Sequence, residues 1–129
     1  MTTTINAATS TGLAVSSDGS GIVKLQSNGL ATNALAWVNF SSTTGVRNSS
    51  YNVSSVTVNS AGNYTIAFAT AQADANYVGV ASTTGSTGTA GGISSYFSTP
   101  TTSNVLFLTY LGTTPTDFSR NLQIAIFGN

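Results

Sequence analysis

Catalysis by side chains draws on few residue types, and this chain holds almost none of them. It contains no His and no Cys. Neither a Ser–His nor a Cys–His nucleophile is available, so acid–base chemistry near neutral pH falls to carboxyl groups. Those are Asp18, Asp74 and Asp117, with no Glu beside them. Glycoside hydrolysis needs two carboxyl groups flanking the bond. Asp18 stands before Gly19, and Asp117 shortly after Pro115, which are turn contexts rather than a facing pair. Turn roles are therefore expected, with three copies of one Asp around a cation on a symmetry axis as a minor alternative. Without Cys there is no disulfide and no thiolate metal site. The expectation is a non-enzyme with no cofactor and no resident metal.

What remains is chemistry of recognition. The stretch Gly85-Ser86-Thr87-Gly88-Thr89-Ala90-Gly91-Gly92 is rich in Gly, but it lacks the Lys of a phosphate-binding loop and no helical pattern follows it. A hairpin tip is expected, and binding residues concentrate on such tips when a rigid scaffold presents them. Gly85, Ser86, Thr87, Gly88 and Thr89 are thus candidate receptor or partner contacts. Tyr96, between Ser95 and Phe97, joins them as the best exposed aromatic. Trp37, Tyr51, Tyr64, Tyr77 and Tyr110 also carry faces that stack on sugar rings, but most alternate with apolar neighbours, which favours core packing. Arg47 either meets a partner or pairs with Asp74 or Asp117 at a strand end; the structural pairing is the expectation. The sequons at Asn39, Asn48, Asn52 and Asn63 are what chance produces in a chain nearly one-third Ser and Thr.

Charge narrows the partners. Only 5% of the 129 residues are charged and the net charge is zero, against about 25% in ordinary globular domains. Phosphate backbones are held by clustered Lys and Arg, and Lys24, Arg47 and Arg120 are scattered. Nucleic acid and anionic membrane surfaces are excluded as expected partners. With 40% hydrophobic residues the chain can bury a core, so disorder is not expected. A neutral, hydroxyl-rich surface offers little charge repulsion against self-association, which points to a chain made to assemble. Met1-Thr2-Thr3-Thr4 has neither the basic start nor the apolar run of a signal peptide, and no membrane insertion is expected.

The elements that must position these residues are strands. Residues 1–33 alternate short apolar clusters with turn signals at Asp18-Gly19 and Asn28-Gly29, dipeptides that favour tight hairpins. This segment is too thin to stand alone. Ile5, Leu13, Val15, Ile22, Val23 and Leu25 are its candidate attachment contacts. Residues 35–40 read as a strand with Leu35, Trp37 and Asn39 on one side and Ala36, Val38 and Phe40 on the other. Residues 51–58 are β-branched and aromatic but change phase. Tyr51 and Val53 share one face and Val56 and Val58 the other, as in a bulge or a strand that crosses between sheets. A turn at 59–62 leads to Tyr64, Ile66 and Phe68, the period-2 signature of a half-buried strand. Strands are also expected at 76–81, 93–98, 105–111 and 121–127, with 105–111 apolar on both faces and so central and covered. No helical period is sustained, and Gly, Ser and Thr weigh against one. The fold class is all-β: an antiparallel β-sandwich of about seven or eight strands at 34–129, preceded by a short extended β segment at 1–33.

Trp37-Val38-Asn39-Phe40, Arg47, Ser50-Tyr51-Asn52-Val53-Ser54-Ser55-Val56-Thr57, Gly62, Tyr64-Thr65-Ile66-Ala67-Phe68 and Asn76-Tyr77 together resemble a head domain of bacteriophage tail fibres and related virion proteins, cyanophages included. Ile126-Phe127-Gly128 is similar to the close of such domains, and the segments before Asn28-Gly29 to their lead-ins. Residues 83–120 carry no resemblance. The 40–47 loop is short for the pattern and no long shaft precedes the domain, which suggests a stub fibre, a head-surface fibre or a capsid decoration subunit. The resemblance implies a homotrimeric structural protein of the virion, assembled in the bacterial cytoplasm. Its implied partners are copies of itself, other tail or capsid proteins and a host cell-surface glycan. A capsid decoration or cement protein of the same domain type and a small carbohydrate-binding module are the alternatives.

Overall fold

A computed structural model describes residues 25–27, 30–84, 93–117 and 120–128. All regular structure among them is β: β1 (Gln26–Ser27), β2 (Leu30–Ala31), β3 (Ala36–Ser41), β4 (Arg47–Tyr51), β5 (Val53–Ser60), β6 (Asn63–Phe68), β7 (Val78–Thr84), β8 (Ile93–Ser98), β9 (Asn104–Leu111), β10 (Thr114–Pro115) and β11 (Asn121–Phe127). Among the described residues, the two short pieces β1 and β2 pair only with each other. The eight long strands form two antiparallel sheets. One has the order β4-β3-β11-β7; the other runs β5-β6-β9-β8, with the short β10 also paired to β9. The Thr109 amide donates to the Gly62 carbonyl and the Thr109 carbonyl accepts from the Thr116 amide. Both groups of one residue point to the same side of a strand, so β10 continues the line of β6.

The sheets meet through their alternating apolar faces, as a sandwich requires. Ala36, Val38, Phe40, Leu122, Ile124 and Ile126 come from the first sheet. Val53, Tyr64, Ile66, Phe68, Val105 and Phe107 come from the second. Each fully buried large side chain among them contributes about 1.5–3 kcal/mol. Phe40 meets the edge of the Tyr64 ring at 5.4 Å, which ties the layers at their centre.

The phase change expected in 51–58 has a definite cause. Tyr51 ends β4 in the first sheet, Val53 begins β5 in the second, and Asn52 between them has φ 52°. The chain therefore crosses between layers in a single residue. A register shift between Val53 and Ser55 adds a bulge just beyond it, which turns Val56 and Val58 back toward the core. Residues 105–111 depart from expectation. The strand is central, but Val105, Phe107 and Thr109 are buried while Leu106, Leu108 and Tyr110 are only half-buried, because the sandwich has two layers and this second face looks outward.

Two groups behind the core carry testable consequences. The Tyr64 hydroxyl donates to Asp117 Oδ1 at 2.5 Å, and the same oxygen accepts from the Gly62 amide at 2.8 Å. Burial, reinforced by that carboxylate, pushes the Tyr64 phenol above its ordinary range. A raised phenol pKa means that the folded state resists losing this proton. Its contribution is complete below about pH 10, the unfolded value, and is lost progressively as pH rises above it. Urea midpoints measured at pH 8 and pH 11 should fall for the native chain, and fall less for Tyr64→Phe. Equal falls would show that this phenol is not the linked group. Tyr64→Phe itself should cost roughly 1.5–3 kcal/mol at neutral pH, the range for a hydrogen bond to a charged acceptor.

Gln72 is buried and neither side-chain amide atom has a hydrogen-bond partner. An unsatisfied buried amide costs about 1–3 kcal/mol. Gln72→Met keeps the volume without the polar atoms, so its melting temperature should be unchanged or a few degrees higher. A clear drop would mean that the amide is satisfied in solution.

Candidate functional site

The outward face of the β4-β3-β11-β7 sheet is laid out in rungs, because residues paired across antiparallel strands share a face. One rung reads Tyr51, Trp37, Ala125, Val80 and the next Ser49, Asn39, Gln123, Ser82. The first is an aromatic and apolar row; the second is entirely amide and hydroxyl. Ala125 is small and stands between Trp37 and Val80, so the surface dips there. Residues of both rungs line a groove of about 560 Å³, with Trp37, Val80, Gln123 and Asn39 among its walls. That volume falls within the range of small-ligand clefts. Trp37 is 40% exposed and Val80 52%, large fractions for such side chains.

The amides of the polar rung are held by neighbours. Ser82 Oγ donates to Gln123 Oε1 at 3.0 Å. Asn48 Nδ2 donates to Asn39 Oδ1 at 3.0 Å. Asn48 reaches Asn39 because the register between β3 and β4 shifts between Asn39 and Phe40, and a bulge re-aims the extra residue. With both acceptor oxygens occupied, the NH2 groups of Gln123 and Asn39 are left as donors at the groove. Among the described residues, no side chain lining it is charged.

No protein-family model matches the chain, and no curated protein or solved structure matches it significantly. An aromatic face beside fixed uncharged donors has the chemistry to bind and orient a ligand.

The sequence-predicted contacts are distributed differently. Gly85, Ser86, Thr87, Gly88 and Thr89 lie outside the described residues, as do Ile5, Leu13, Val15, Ile22 and Val23. Leu25 is described and 54% exposed, its amide donating to Asn33 Oδ1 at 2.7 Å. Tyr96 is 48% exposed. It sits on the outward face of the other sheet and stacks on Tyr110 with centroids 5.6 Å apart and planes within 11°. Their hydroxyls lie 3.2 Å apart, and this bond raises the Tyr110 phenol above its usual range. The pair is opposite to the groove, so Tyr96 and Trp37 do not share a site.

Expected core packing holds for Tyr64, which is fully buried, and for Tyr77, whose ring meets Phe68 edge-on at 5.6 Å. Tyr77 also donates to the carbonyls of Thr101 and Asn104. It fails for Trp37, which faces outward although its strand neighbours Ala36 and Val38 are buried. Arg47 meets neither Asp74 nor Asp117. It donates to the Val53 carbonyl and, at 3.5 Å, to Ser50 Oγ, clamping the crossing at Asn52. Asp74 instead accepts from the Asn76 amide at 2.7 Å, a local turn. Among the described residues no three His, Cys, Asp or Glu side chains come together in a metal-binding group.

Sequence reasoning missed Gln123 and Ala125 because they lie more than eighty positions from Trp37. Only the pairing of β3 with β11 makes them neighbours. The available signal was the alternation of Trp37 and Asn39 on one face of their strand.

Proposed function

We propose that this chain is a non-catalytic structural protein of a bacteriophage particle, a short homotrimeric fibre. Residues 1–33 serve to attach it and the sandwich of 34–129 is presented outward. The observation that carries this reading is where the residues of the fibre-head resemblance sit. They supply the joints of the sandwich rather than a reactive centre: Phe40 and Tyr64 tie the layers, Arg47 and Asn52 hold the crossing, and Gly62 makes the β5–β6 turn. A sequence pattern spent on joints fits a domain valued for its shape. The uncharged surface adds support, since neutral faces pack against copies with little repulsion.

Light scattering of the purified chain should give three times the 13.0 kDa chain mass. A monomer at micromolar concentration would overturn both the fibre and the capsid decoration readings. Gold-labelled antibody on intact particles should mark the tail or a fibre position. Even labelling of the capsid shell would replace the fibre by a decoration protein, and no labelling would remove the protein from the virion.

A further inference from the structure

We infer that the groove on the outward face of the β4-β3-β11-β7 sheet is a binding site for a neutral saccharide. This rests on the groove alone and holds whether or not the chain belongs to a virion. Sugar rings present two kinds of surface, a patch of C–H groups on one face and a girdle of hydroxyls around it. The groove offers the complement of each in adjacent rungs. Trp37 and Val80 border the small Ala125 and provide the apolar, aromatic part. Gln123 and Asn39 provide NH2 donors whose partner oxygens are already engaged by Ser82 and Asn48. Donors held before the ligand arrives lose little freedom on binding.

Charge selects among saccharides. The described lining side chains are all uncharged, and a carboxylated or sulfated sugar would give up hydration against them without gaining a cation in return. A polypeptide is a poorer fit, because the amide and hydroxyl rung would face an apolar side chain. The aromatic rung would likewise face a polar backbone. The occupant that satisfies both rungs is a hexose or N-acetylhexosamine unit of an uncharged glycan.

Trp37 is the only Trp in the chain, so its fluorescence reports on this groove and no other place. The full chain is titrated with oligomers of glucose, galactose, mannose and N-acetylglucosamine, and in parallel with sialylated and sulfated oligosaccharides. Saturable change in Trp37 emission is expected with at least one neutral sugar, and weaker or no response to the acidic ones. Calorimetry then follows that sugar with three variants. Trp37→Ala should weaken binding by about tenfold or more, from loss of the aromatic face. Gln123→Ala should weaken it by several-fold, the usual effect of one neutral hydrogen bond. Ala125→Leu, which fills the dip while leaving Trp37 and Gln123 in place, should also weaken it by tenfold or more. Circular dichroism and melting of each variant establish that the fold is kept.

No emission change with any neutral sugar at millimolar concentration would overturn the assignment. So would a stronger response to the acidic set, or native affinity retained by folded Trp37→Ala or Ala125→Leu. A chain that binds a neutral sugar through Trp37 but labels no virion would leave this site standing and remove the virion reading.

Discussion

Gly62→Ala is expected to cost roughly 2–5 kcal/mol, a large effect for the addition of one methyl group. Two causes combine. Gly62 has φ +67°, a left-handed conformation that penalises any residue with a Cβ. A Cβ at this position would also collide with the Thr109 carbonyl oxygen and the Thr116 amide nitrogen, and lie 3.0 Å from the Pro115 carbonyl carbon. Those are backbone atoms and cannot swing aside. They belong to the corner where β10 continues the line of β6, so the damage reaches the bonds from Tyr64 and Gly62 to Asp117. Gly112→Ala is the natural control. Gly112 has φ +63°, but nothing lies within 4 Å of its added Cβ. It should therefore lose only the conformational part, about 1–2 kcal/mol. Urea denaturation of the two variants separates the terms. Equal losses would mean that the corner yields easily and that its packing contributes nothing.

Asn52→Ala is the second. The Asn52 side chain donates to the carbonyls of Leu35 and Thr70, both at 3.1 Å, and accepts from the Thr70 amide at 2.7 Å. Its own carbonyl accepts from the Ala69 amide. One residue thus ties the entrance of β3, the β4–β5 crossing and the segment after β6. Loss of three side-chain hydrogen bonds, at roughly 0.5–1.5 kcal/mol each, puts the cost at roughly 1.5–4.5 kcal/mol. Asn tolerates the φ of 52° better than Ala does, which adds to that. Asn52→Gly removes the same bonds but relieves the backbone, so it should be less damaging by about 1 kcal/mol. If the two variants are equally stable, the backbone at this crossing is not strained. Tyr51 precedes Asn52 and flanks Trp37 across the sheet, so the saccharide binding proposed for the groove should weaken along with stability in both.

These two positions also mark how far the chain could be read from its sequence. Alternation in Tyr64, Ile66 and Phe68 gave the facing of β6 without structural help, because a half-buried strand repeats every two residues whatever it pairs with. The shift of phase after Tyr51 announced a bulge or a crossing, since no straight strand can keep both Tyr51 and Val58 in register with one core, and the structure holds both. By contrast, 105–111 is apolar at nearly every position, and such a run cannot say which face will be left outward. Trp37 misled for a related reason. Its neighbours Ala36 and Val38 are buried, and a large aromatic beside them is ordinarily part of the core. Arg47 misled because in a chain with so few charges an ion pair is the natural expectation, whereas the Val53 backbone carbonyl, six positions along the chain, accepts from its guanidinium without carrying a charge.

Composition and period determined the class by themselves: strands throughout, two apolar faces to be joined, and no His or Cys for imidazole or thiol chemistry. Those are local properties, set by each residue and its neighbours two positions off. The groove was decided only when β11 came to lie between β3 and β7. That order puts Gln123 beside Asn39 and Ala125 beside Trp37, and register across strands depends on contacts distant in sequence, which no local pattern encodes.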